Sequence, residues 1–250
     1  LIKWVIENGW SETDELCAGL AEAGMLDMLK WVREKGAQWD ELTFDAAARN
    51  GDLALMTWLK ENECPWRATT CAIAAQRGPL KTLVWLRENG CPWDEQVFIS
   101  AVRGAGCQDV LKWARENGCP LSPRVCAMAA FVGFFEMLKW LRANDFPWDE
   151  EVCANAAASN LDMLKWAREN GCPWGERVCA AAAGHGRLDI LKWARENGCP
   201  WDENCYQEAR RNIGNEQILE YLKMNGCPSG GYDPHEDFLR RWYLTHEQID

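Results

Sequence analysis

Three residue types in this 250-residue chain are equipped for chemistry: 13 cysteines, 16 tryptophans and 3 histidines. Cysteine and histidine ligate zinc or carry redox reactions. Tryptophan rings make platforms for sugars or unpaired bases. The densest stretch is "LKWARENGCPW", Leu164 to Trp174, which returns letter for letter from Leu191 to Trp201. Spacing decides what chemistry is open. No C-x-x-C occurs, and His185, His235 and His246 stand in unrelated contexts, so zinc-ligand spacing is absent. The glycines of "GAGCQ" (Gly104–Gln108) lack the strand and the Lys-Ser/Thr of a phosphate loop. No nucleophile–base pair or paired-acid constellation stands out. The expectation is a non-enzyme with no cofactor and no metal.

The cysteines fall in two columns. Cys64, Cys91, Cys119, Cys172, Cys199 and Cys227 share one place, taken elsewhere by Ala37 and Phe146. Cys17, Cys71, Cys126, Cys153 and Cys179 share another, taken elsewhere by Phe44, Phe98 and Tyr206. A ligand position cannot become Phe and keep its chemistry, whereas a buried apolar position can. Free Cys behaves as a small hydrophobe. The expected thiols are reduced and buried, which fits cytoplasm or nucleus.

These columns belong to a repeat. Trp4, Trp31, Trp58, Trp85, Trp113, Trp140, Trp166 and Trp193 are spaced 26 to 28 residues apart. Trp10, Trp39, Trp66, Trp93, Trp148, Trp174 and Trp201 form a second series, with Leu121 in one unit. Eight units cover residues 10–229, after a partial unit at 1–9. Residues 230–250 break the pattern and are expected to be a capping helix, or else a linear motif for a second partner. The array reads as a single continuous domain. The chain starts at Leu1 without methionine and is expected to be a piece of a longer protein.

Each unit predicts two short helices. Asp94 and Ser122 are favoured N-cap residues. The preceding Trp and the residue five later, such as Trp93 and Phe98 or Trp39 and Phe44, form the ends of a hydrophobic staple. The first helix is alanine-rich ("FDAAARNG"). The second spaces its apolar residues helically, as at Leu161, Leu164 and Ala167. It ends at Gly171 in a left-handed turn, with Cys172 contacting Ala167 and Pro173 blocking continuation. Glu63 and Asp145 replace that glycine and are expected to carry positive φ.

The composition, 48% hydrophobic and 26% charged, reads as folded. The net charge of −11 disfavours nucleic acid. No apolar run approaches the ~18 residues of a membrane span.

"AARNGDLALMTWLKEN" and "AAGHGRLDILKWARENG" resemble the ankyrin repeat in its "AAxxG", second-helix and "ENG" segments. The units are about 27 residues rather than about 33. The segments that form the family's β-hairpin fingers are missing. The resemblance therefore implies an all-α solenoid of helix–turn–helix repeats with shortened or absent fingers. It also implies protein-protein interaction. Arrays of this type occur in pathogen effectors, which act in host-cell cytoplasm, and in substrate-recruiting adaptors.

Solenoids bind partners along one face, and binding positions should vary between repeats. Arg49, Asn50, Gln76, Arg77, Phe131, Val132 and His185 vary between "AA" and "G", with Arg103 and Ser159 in shifted units and Phe134 nearby. In ankyrins these positions face the partner. The arginines read as a basic strip or as ordinary solvated surface. Phe131 and Phe134 read as contact surface or as filling of a packing gap. The expected partner is another protein or peptide on the inner, first-helix face of a monomer, without membrane contact. The competing class is an aromatic-platform binder of sugar or single-stranded nucleic acid.

Overall fold

A computed structural model of the chain describes residues 14–104, 108–212 and 214–231. The expected partial repeat 1–9, Trp10, Cys107 and the capping segment beyond residue 231 lie outside these residues. Among the described residues there are sixteen α-helices and no strand, so the fold is all-α, a solenoid class of paired helices. The first helices of the pairs are α1 (Asp14–Glu22), α3 (Glu41–Asn50), α5 (Ala68–Arg77), α7 (Gln96–Arg103), α9 (Arg124–Val132), α11 (Glu150–Ala157), α13 (Glu176–Gly184) and α15 (Asn204–Ala209). Their partners are α2 (Leu26–Glu34), α4 (Leu53–Glu61), α6 (Leu80–Glu88), α8 (Gln108–Glu116), α10 (Phe135–Ala143), α12 (Leu161–Glu169), α14 (Leu188–Glu196) and α16 (Glu216–Met224). No described helix is long and apolar enough to cross a membrane.

Helix starts follow the caps. The Asp40 carboxylate accepts from Leu42 N, that of Asp94 from Gln96 N, and that of Asp149 from Glu151 N; Ser122 Oγ accepts from Arg124 N. Each satisfies an amide that has no intrahelical partner. The second helices end as the sequence predicts. Gly171 has φ 80°, and Cys172 N donates to Ala167 O at 2.9 Å. Glu63 and Asp145 occupy the same left-handed turn at φ 60° and 59°. The asparagine of "ENG" adds a lock: Asn170 Nδ2 donates to Trp166 O at 2.8 Å, and Asn62, Asn89, Asn117, Asn144, Asn197 and Asn225 repeat the bond.

The chain falls into two compact units, Leu1–Val125 and Cys126–Asp250, with the division inside α9. In the first unit α1 packs on α3, α3 on α5 and α5 on α7. In the second α11 packs on α13 and α13 on α15. Alanine permits the close approach: Ala46, Ala47 and Ala48 are buried in α3, and Ala182 and Ala183 in α13. Leu55, Met56 and Leu59 of α4, and Met163, Leu164 and Ala167 of α12, bury the inner side of the second helices.

The staple differs from expectation. The Phe44 ring packs on Trp66 and Trp85 of the following repeat, at 4.9 and 6.5 Å between centroids. The aromatic contact of Phe44 therefore joins one unit to the next.

Candidate functional site

In the first unit, Arg49, Arg77 and Arg103 stand in the last turns of α3, α5 and α7. Those three helices pack in succession, so three guanidinium groups follow one edge at the repeat spacing. Arg49 pairs with Glu22 at 3.2 Å. Arg77 and Arg103 are exposed. Asn50 serves the stack itself, donating to the carbonyls of Ala21 and Glu22 in the preceding repeat. Gln76 is half-buried, and its carbonyl oxygen lies 2.0 Å from where a Cβ on Gly104 would be.

In the second unit, Phe131 is 70% exposed and Val132 41%. Phe134 is half-buried, and its carbonyl accepts from Leu138 N at the start of α10. Ser159 offers its carbonyl to Arg187 Nη1 of the next repeat. The exposed His185 ring turns Nδ1 to Ala181 O at 2.9 Å. Phe131 and His185 share a groove of about 530 Å³ with four carboxylates, Glu151, Glu176, Asp202 and Glu208. Three of these acids, Glu151, Glu176 and Asp202, escape sequence reasoning because acids at helix starts ordinarily complement the helix dipole, and Glu208 because it stands half-exposed at the end of α15. Their convergence depends on how repeats stack.

The residues first suspected of chemistry form a clamp. Among the described residues, second-series tryptophans pair edge-to-face with a first-series ring of their own unit, Trp39 with Trp58 at 5.5 Å, Trp93 with Trp113 at 5.7 Å and Trp174 with Trp193 at 5.8 Å, and Trp201 pairs with Tyr221. The rings are half-buried rather than buried. An arginine covers one face: Arg87 on Trp93, Arg168 on Trp174 and Arg195 on Trp201, at 4.0 to 4.2 Å. The same guanidinium groups donate to the carbonyls of Cys91, Cys172 and Cys199, and Arg142 donates to Phe146 O at 2.8 Å. The motif thus joins a helix end to the next helix start.

The cysteines are buried free thiols at all twelve described positions. The turn cysteines do more than fill space. Cys119, Cys172 and Cys227 donate from Sγ to the carbonyls of Asp94, Asp149 and Asp202 at 3.3 Å. Burial pushes the thiols of Cys64, Cys119 and Cys126 up to about 12, which holds them protonated and unreactive. Among the described residues no group of three or more His, Cys, Asp or Glu side chains is placed to hold a metal ion.

No family model and no curated protein matches this chain. Its fold matches two solved structures of the pentatricopeptide repeat protein PPR10 in complex with an 18-nt psaJ RNA element, one of them a triple Cys-to-Ser variant. Both match at TM-score 0.52 and 14% identity, covering 90% of this chain and 41% of the other. A structure of PPR10 from maize matches at TM-score 0.44 and 14% identity, covering 85% of this chain and 39% of that one. The chain therefore spans about two fifths of the length of the structures it matches.

These structures correct two expectations: a protein or peptide partner, and the disfavouring of nucleic acid. A helical-repeat fold does not by itself select a protein ligand, because PPR10 shares the fold and was solved with RNA. Net charge sums the whole surface, whereas phosphates meet one local face. The solved structures named above are pentatricopeptide repeat proteins and do not carry the ankyrin resemblance.

Proposed function

We propose that the chain binds single-stranded RNA along its first-helix edge, in place of a protein or peptide. The observation that carries the reading is the run of Arg49, Arg77 and Arg103 at the ends of three successively packed first helices. Neighbouring packed helices lie ~8–10 Å apart, so an extended strand meets one cation per repeat. Arginine's planar fork suits phosphate oxygens, and its faces suit unpaired bases. The RNA in the PPR10 structures supports this ligand class. The tryptophan rings serve rigidity more than stacking, because arginine covers one face and a second ring meets another edge.

Two finer readings accompany it. The buried free thiols fit a reducing compartment, cytoplasm or nucleus. The repeat is a shortened ankyrin-like unit, supported by "AAxxG" with left-handed glycines at Gly51, Gly133 and Gly186.

Fluorescence anisotropy with a labelled, unstructured 18-nucleotide RNA tests the main reading. Three phosphate contacts predict a slope of log affinity on log salt near about −2. Arg77→Glu with Arg103→Glu should weaken binding at least ~10-fold and flatten that slope. Absence of binding by the wild-type chain at low salt rejects the proposal.

A further inference from the structure

We propose that four repeats of the array each hold a soft monovalent metal ion, Cu(I), between two buried cysteine sulfurs. This departs from the expectation of no metal and does not depend on RNA binding.

The thiols come in pairs. Cys153 meets Cys172 in a thiol–thiol contact, and Cys71 meets Cys91, Cys179 meets Cys199 and Cys205 meets Cys227 in the same way. One member of each pair stands in a first helix, and the other stands just beyond the end of the second helix of the same repeat. All eight are buried free thiols. The pairing is selective. In the repeats of Cys64 and Cys119, Phe44 and Phe98 take the first-helix place, and those first helices, α3 and α7, carry no cysteine.

Two sulfurs in contact suit one ion class. Cu(I) favours soft thiolates and is satisfied by two of them. Structural Zn(II) takes four ligands, and among the described residues no group of three or more His, Cys, Asp or Glu side chains is placed to hold a metal ion. Binding forms two S–Cu bonds and sends two thiol protons to solvent, while copper and sulfur keep their oxidation states. The turn thiol gives up its bond to a helix-start carbonyl, which for Cys172 is Asp149 O at 3.3 Å.

The bis-thiolate site then carries one negative charge, and its surroundings favour that sign. The Cys172 sulfur lies in hydrogen-bonding contact with the Cys153 amide in the first turn of α11, and the Cys199 sulfur with the Cys179 amide in the first turn of α13. Peptide dipoles at helix starts stabilise anions. Arg168 and Arg195 donate to the carbonyls of Cys172 and Cys199, so a guanidinium stands beside each of these sulfur pairs. Each ion ties the start of a repeat's first helix to the end of its second.

Anaerobic titration of the full chain with Cu(I) against the chelator bicinchoninate tests this. The folded wild-type chain should take at least one equivalent per pair from the chelator. Cys172→Ala/Cys199→Ala removes one sulfur from each of two pairs and should lower uptake by one equivalent per broken pair. Alanine stands at that place naturally, at Ala37, so the variant should keep its circular dichroism spectrum. If it does not, Cys153→Ala/Cys179→Ala takes its place and must show the same loss. Cys119→Ala, at a turn cysteine outside the pairs, should leave uptake unchanged. A wild-type chain that takes no Cu(I) from the chelator overturns the proposal. So does uptake that ignores the broken pairs, or that falls by a full equivalent in Cys119→Ala.

Discussion

At the residue scale, the positions that break the repeat are the informative ones. Glu63 sits at φ 60° in a turn that glycine fills in other repeats. The strain was legible in the sequence, because the column alone shows which residue must turn left-handed. Glu63→Gly should raise unfolding free energy in urea by up to ~1 kcal/mol, the relief of the Cβ penalty less the entropy glycine adds to the unfolded chain. A clear loss of stability would mean that Glu63 makes a compensating contact. Thr43 was not legible in this way. It is fully buried with an unpaired hydroxyl, while Thr70 in the same column donates to Asp45 at 2.6 Å. Asp45 is an alanine or isoleucine in most other repeats, and Val97, Val125, Val152 and Val178 fill the Thr43 column without a hydroxyl. Thr43→Val should therefore stabilise by about 1 kcal/mol, the cost of burying an unmatched polar group. Equal or lower stability in the same urea titration would show that the hydroxyl has a partner.

At the element scale, sequence reading found the helices, caps and turns because these depend on residues within one unit. It missed what depends on the offset between units. The Lys165 ammonium lies over Trp193 of the next repeat at 6.0 Å. Arg168 stacks on Trp174 at the start of the next unit and holds the Cys172 carbonyl. The same limit applies to the groove, whose acids meet only after stacking. Gly104 shows how tight the offset is. Its backbone is not left-handed, so conformational freedom is not the reason for glycine; the Gln76 carbonyl oxygen would lie 2.0 Å from a Cβ. That neighbour is backbone and cannot rotate away. Gly104→Ala must part α5 from α7 and should cost about 1–3 kcal/mol, the range for overpacking. Gly198→Ala, with φ 79° and open space around it, is the control and should cost about 1 kcal/mol or less. Similar losses from both in thermal melts would remove the case for close backbone approach.

At the scale of the whole molecule, the repeat that made the fold readable also concealed the ligand. Scaffold letters recur, so their roles follow from counting. The RNA site proposed above lies at first-helix ends, and net charge does not describe one local edge because it sums the whole surface. The thiol columns give a property of the assembly that both readings share. Cys64, Cys119 and Cys126 are pushed by burial from an ordinary value of 9.0 to about 12. The folded chain thus keeps protons that the unfolded chain releases above pH 9. Stability from this source is full below pH 9 and is lost as pH climbs from 9 toward 12. One pH unit above 9 removes ~1 kcal/mol per such thiol, and each kcal/mol moves Tm by roughly 2–4 °C in a chain of this size. Tm should stay level from pH 7 to 8.5 and fall by about 5–10 °C by pH 10. Over the lower range Cys64, Cys119 and Cys126 of the native chain should leave a thiol reagent unconsumed and react once urea unfolds it. A flat Tm to pH 10, or rapid native labelling of those cysteines, would show thiols in contact with water and would undo the reading of both columns as core.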